Sequence, residues 1–171
     1  SYLYLAKSYQ PVNQLDSAII YYDSIMYFTK SIAAAESKYH ICEIAYERKS
    51  YELCESLIME LVQQKPSYDY WLAKGILLLG DNFTAQNDYF NAKHSVESII
   101  ENYDGFNKKE IVDEAVLKLE SIIKLENDAR QEQPVQQDIE IELEPIEDVN
   151  SNLEPEIIEI NSTENNQDEN K

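Results

Sequence analysis

Glycine, histidine, cysteine and positive charge are all scarce in this chain of 171 residues, and each shortage excludes a kind of chemistry. The three glycines, Gly75, Gly80 and Gly105, are not clustered, so no backbone loop is available to cradle a phosphate. The two histidines, His40 and His94, have no Cys, Asp or Glu at a zinc-ligand spacing and read as helix-surface residues. Neither a metal nor a cofactor is therefore expected. Cys42 and Cys54 form no CxxC motif and no recognisable catalytic pairing with histidine. Lysine and arginine number 14 against 33 acidic residues, and a net charge of −19 opposes binding to nucleic acid and to anionic membranes. No apolar run approaches the ~20 residues needed to cross a bilayer, so direct membrane insertion is not expected. Carboxylates are many, but chance pairs are common in an acidic chain and no catalytic pair stands out, so the chain reads as a non-enzyme.

The charge is unevenly spread. Residues 126–171 hold 15 acidic and 2 basic side chains, against 18 and 12 in residues 1–125. The reading is two parts, a helical domain over 1–125 and an acidic tail over 126–171. The tail has Pro134, Pro145 and Pro155 and no aromatic residue, so burial cannot offset chain entropy and disorder is expected. Within it Ile139, Ile141, Leu143, Ile146, Val149, Leu153, Ile157, Ile158 and Ile160 are interspersed with acidic residues. That stretch is either a solubilising linker or a segment that folds on a partner.

The most regular stretch runs from Tyr70 to Tyr103. Leu72, Ile76, Leu79 and Phe83 fall on one helix face, as do Tyr89, Ala92, Val96, Ile99 and Ile100, with the turn formers Gln86, Asn87 and Asp88 between them. This predicts an antiparallel helix pair in which the small residues Gly80 and Ala92 let the two backbones approach closely. The pattern recurs upstream. Leu5-Ala6, Tyr9, Leu15 and Ala18 make one copy, and Ile41-Cys42, Ala45, Tyr51 and Cys54 another. The small residues Ala6, Cys42 and Gly80 of the first helices, and Ala18, Cys54 and Ala92 of the second, both step by 36 and then 38.

On these residues the chain resembles the tetratricopeptide repeat, whose usual period is ~34 residues. The longer step is similar to that of repeats in bacterial outer-membrane assembly lipoproteins. Two departures are Ala45 where an aromatic is usual and a closing proline, Pro66, in the second copy alone. Carried by residues 33–61 and 70–81, the chain from residue 1 to about 125 resembles the carboxyl end of large tetratricopeptide-repeat proteins of Bacteroidetes-type bacteria, which implies an envelope scaffold, periplasmic or outer-membrane associated, with a cytoplasmic location as the alternative.

The expected fold is all-α, a right-handed helix-turn-helix solenoid of three helix pairs and a capping helix. Pro11 should end the first helix, with the second starting between Asn13 and Asp16 and reaching Phe28. Ser31–Arg48 and Ser50–Gln64 form the next pair. Asn107 to Glu110 has capping-box spacing, and Ile111, Ala115, Leu119, Ile122 and Ile123 follow on one face, as a capping helix requires. Tyr2, Leu3, Leu5, Ala6 and Tyr9 already lie in helical register, so further repeats of the same chain are expected upstream, and any signal peptide would lie there too.

Cys42 and Cys54 fall where the helices of the second pair cross, either as two reduced, buried small residues or as a disulfide if the compartment is oxidising. In the resembled family the first helix of each pair lines a concave, partner-binding side. Carried onto this chain, that implies Lys7 and Gln10 in the first copy, Tyr39, Glu43 and Tyr46 in the second, and Leu77, Asp81 and Thr84 in the third. The implied function is a protein-protein interaction scaffold holding a protein or peptide. The alternative is a spacer within a longer solenoid, with recognition carried by the acidic-aliphatic tail.

Overall fold

The computed structural model describes residues 1–28 and 30–132. The expected acidic-aliphatic segment lies outside them.

Seven helices occupy the described residues, with no strand among them: α1 Tyr2–Tyr9, α2 Leu15–Phe28, α3 Ile32–Glu47, α4 Tyr51–Gln63, α5 Asp69–Ala85, α6 Tyr89–Asn102 and α7 Lys108–Glu132. None is long and apolar enough to cross a membrane. Consecutive helices pack on one another, and α3 also lies against α5, and α5 against α7. α3, α5 and α7 therefore share one side of the array, an architecture consistent with an all-α repeat.

The turn within each pair is built the same way three times. Asn13, Lys49 and Asn87 stand at φ of 58°, 58° and 62°, the left-handed region that ends a helix. Their amides donate to the carbonyls of Gln10, Tyr46 and Thr84 at 3.0, 2.8 and 3.0 Å. The next amides, of Gln14, Ser50 and Asp88, reach back to Tyr9, Ala45 and Phe83 at 3.0, 2.9 and 2.9 Å. These residues too are spaced by 36 and 38. Asn tolerates this conformation because its short amide bonds locally, whereas Lys49 adopts it under the constraint of the fold.

All six small residues of the two series are buried, with Ala6, Ala18, Cys42, Cys54 and Ala92 at 0% exposure. A Cβ on Gly80 would meet Val96 Cγ1 at 2.8 Å and the Ala92 carbonyl at 3.5 Å, so glycine is required by the approach of α5 to α6. The core is a chain of three clusters, each joining neighbouring pairs. Ile41 and Ile44 pack with Ala6, Ala18 and Tyr22; Leu78 and Leu79 with Cys42, Cys54 and Ile58; Ile111, Ala115 and Ile122 with Leu77, Ala92 and Val96. No pair closes its core alone.

Three expectations change. The α5 face read as Leu72, Ile76, Leu79 and Phe83 is broader, because α3, α4, α6 and α7 all touch this helix. Leu77 and Leu78 are buried, whereas Leu72, Ile76 and Phe83 are only partly so. Asn107 does not form the expected capping box: at φ 56° its side-chain amide donates to Glu110 Oε2 at 3.2 Å. The last helix runs past residue 125 to Glu132, with Glu126 held by Lys93 at 2.7 Å and Arg130 at 2.7 Å. Along it Ile111, Ala115 and Ile122 are buried, while Ile123 is 42% exposed.

Candidate functional site

Where α3, α5 and α7 run side by side, a hollow of about 290 Å³ opens between them. Tyr39, Glu43, Tyr46 and Glu47 line it from α3, Lys74, Leu78 and Asp81 from α5, and Glu114 and Lys118 from α7. The spacings 39, 43, 46 on one helix and 74, 78, 81 on the next are steps of three and four, which keep one face toward the groove.

Ion pairs tie the helices across this side. Lys118 donates to both Asp81 oxygens at 2.8 and 2.6 Å, and Lys74 to both Glu114 oxygens at 3.2 and 2.9 Å. Lys7 pairs with Glu36, joining α1 to α3 in the same way. Glu43 has a different environment. His40 Nδ1 lies 2.6 Å from its Oε2, and Tyr39 and Gln10 lie beside it. Burial pushes the Glu43 carboxyl up, but the His40 bond and the polar Tyr39 beside it outweigh that and hold it below the usual carboxylate range. Burial, and then the charge of Glu43, push the Tyr39 phenol up, so it stays protonated beside that carboxylate.

His40 is not a surface residue. Its ring stacks on Tyr22 at 5.2 Å and lies 5.8 Å from Trp71, so α2, α3 and α5 meet at it, whereas His94 is exposed. An isolated histidine in a helical pattern carries no sign of which neighbouring repeat will cover it.

The inward positions fare unevenly. The structure brings together Tyr39, Glu43, Tyr46 and Asp81 in the hollow. Thr84 lies one turn on, in an adjoining hollow with Asp81 and Lys118, its hydroxyl donating to the Gly80 carbonyl at 2.7 Å. Lys7 is exposed and committed to Glu36, and Gln10 is half-buried, accepting from the Tyr22 hydroxyl at 3.2 Å. Leu77 is a correction: at 1% exposure it packs beneath α7 and offers a partner no surface. Tyr39 is only 8% exposed and packs its ring 5.4 Å from Trp71, so only its edge reaches the groove.

Lys74, Leu78, Glu47, Glu114 and Lys118 went unread. A signal existed for two of them, since Lys74 and Leu78 stand seven and three residues before Asp81, on the same helix face. Glu114 and Lys118 carried none, because α7 has no counterpart upstream and the copy spacing cannot place it against α5.

Both thiols are free, buried in one cluster. Burial raises both, and Cys54 is pushed up to about 11, which suppresses the thiolate needed for nucleophilic or redox chemistry. No group of three or more His, Cys, Asp or Glu among the described residues is arranged to hold a metal ion. No protein-family model, curated protein or solved structure matches the chain.

Proposed function

We propose that the chain is a tetratricopeptide-type, right-handed repeat scaffold without catalytic activity, whose first-helix side binds an extended segment of another protein. The observation that carries this reading is the hollow itself. Tyr39 and Tyr46 from one pair and Asp81 from the next line one recess, flanked by the pairs Lys74–Glu114 and Lys118–Asp81. A groove built this way offers aromatic surface with oriented polar groups around it, the composition that protein interfaces favour. The repeated turns and the six buried small residues support the family resemblance.

A spacer role within a longer array is the second reading. It is favoured by the way the groove's lysines are already engaged with carboxylates of the same chain.

A photo-crosslinking amino acid distinguishes the two. Placed at position 46 of the full chain in cells it should trap a discrete partner, while the same residue at exposed position 97 on α6 should not. Equal trapping at both positions, or none at 46, would favour the spacer.

A further inference from the structure

Charge within the groove is unbalanced once its internal pairs are drawn. Lys7 is engaged with Glu36, Lys74 with Glu114 and Lys118 with Asp81. Among the described residues no lysine or arginine forms an ion pair with Glu43 or Glu47, although both line the hollow. They stand four apart on α3, one turn above the other, with Tyr46 on the same helix beside them. Glu43 is fixed on one side by His40, and its side chain keeps 28% of its surface open, so one edge still faces out. A carboxylate accepts about four hydrogen bonds, leaving capacity on that edge. The hollow, at about 290 Å³, falls just below the ~300–1,000 Å³ of pockets for whole small molecules, a size suited to one long side chain.

Resting on the groove reading above, we propose that this hollow takes an arginine side chain of an extended peptide, its guanidinium lying against Tyr46 and donating to Glu43 and Glu47. Arginine fits better than lysine here because its planar fork serves two carboxylates while its face stacks on an aromatic ring. An acidic segment would bring further negative charge against two carboxylates that no lysine or arginine among the described residues pairs with. A purely apolar residue would cover the open edge of Glu43 without satisfying it.

The test is selection of short random peptides, displayed on phage, against the immobilised full chain. Enriched peptides are then titrated by fluorescence polarisation against wild type, E43Q, E47Q and Y46A, each checked by circular dichroism melting. Enriched peptides should carry arginine. Changing that arginine to glutamine, or introducing E43Q, should weaken binding about tenfold, and E47Q about threefold, with all affinities falling as salt rises. Glu47 is exposed, so E47Q keeps the test decisive if E43Q fails to fold. Binders that lack arginine yet lose affinity for Y46A would overturn the arginine assignment and leave the groove reading standing. No enrichment, or binders indifferent to both Y46A and E47Q, would overturn both.

Discussion

Gly80 and Val96 face each other across α5 and α6 so closely that a single added methyl on the glycine would lie 2.8 Å from Val96 Cγ1. Val96 is 0% exposed and β-branched, so it has no free rotamer into which to retreat.

Gly80→Ala should therefore destabilise the chain by about 1–2 kcal/mol, since overpacking outweighs the ~1 kcal/mol that alanine gains over glycine within a helix. Val96→Ala costs stability alone by opening a cavity, but added to Gly80→Ala it should restore part of the loss. Urea unfolding of the four proteins in that cycle measures the coupling, and additive effects would contradict the contact.

The thiols should be silent in the folded chain. Burial raises Cys42 and Cys54, and neither side chain is accessible. A thiol reagent is expected to label both only in urea, or at the rate of global unfolding in native buffer. Rapid native labelling of one thiol would mean that the α3–α4 crossing opens locally.

Glu43 should make acid stability measurable. Its folded carboxyl sits below the unfolded value of ~4.3, so its contribution is present above that pH and is lost as pH falls through the folded value. The stability difference between wild type and Glu43→Gln should shrink as pH falls below about 5 and through the lowered folded value, because a protonated Glu43 resembles the amide. A difference that grows on acidification would contradict the assignment.

The Lys118–Asp81 pair, with side chains 23% and 34% exposed, is half-solvated. Lys118→Met should cost about 1 kcal/mol or less, and the cost should fall in high salt. Thermal melts at low and high ionic strength check both, and a salt-independent loss would assign the effect to packing of the lysine stem.

Much of the architecture was legible because each repeat fixes its own helices locally. The turn at Gln86 to Asp88, the stop near Pro11 and the six small residues all follow from residue chemistry and a spacing of 36 and 38. The site was legible in part, for the same reason: Tyr39, Glu43, Tyr46 and Asp81 share a helix face that periodicity reveals.

What a face meets is a different matter. Leu77 occupies the inward position equivalent to Tyr39, yet one is sealed beneath α7 and the other keeps an edge in the groove. His40 read as a surface residue until Tyr22 and Trp71 closed around it from the pairs on either side. Lys118 and Glu114 joined the site only because α7 packs on α5. Sequence by itself determined the helices, their turns and which residue in each had to be small, since these depend on neighbours a few residues away. Tertiary structure alone decided which inward side chains are covered and which carboxylates go without a lysine, since burial and charge pairing depend on helices far apart in the chain.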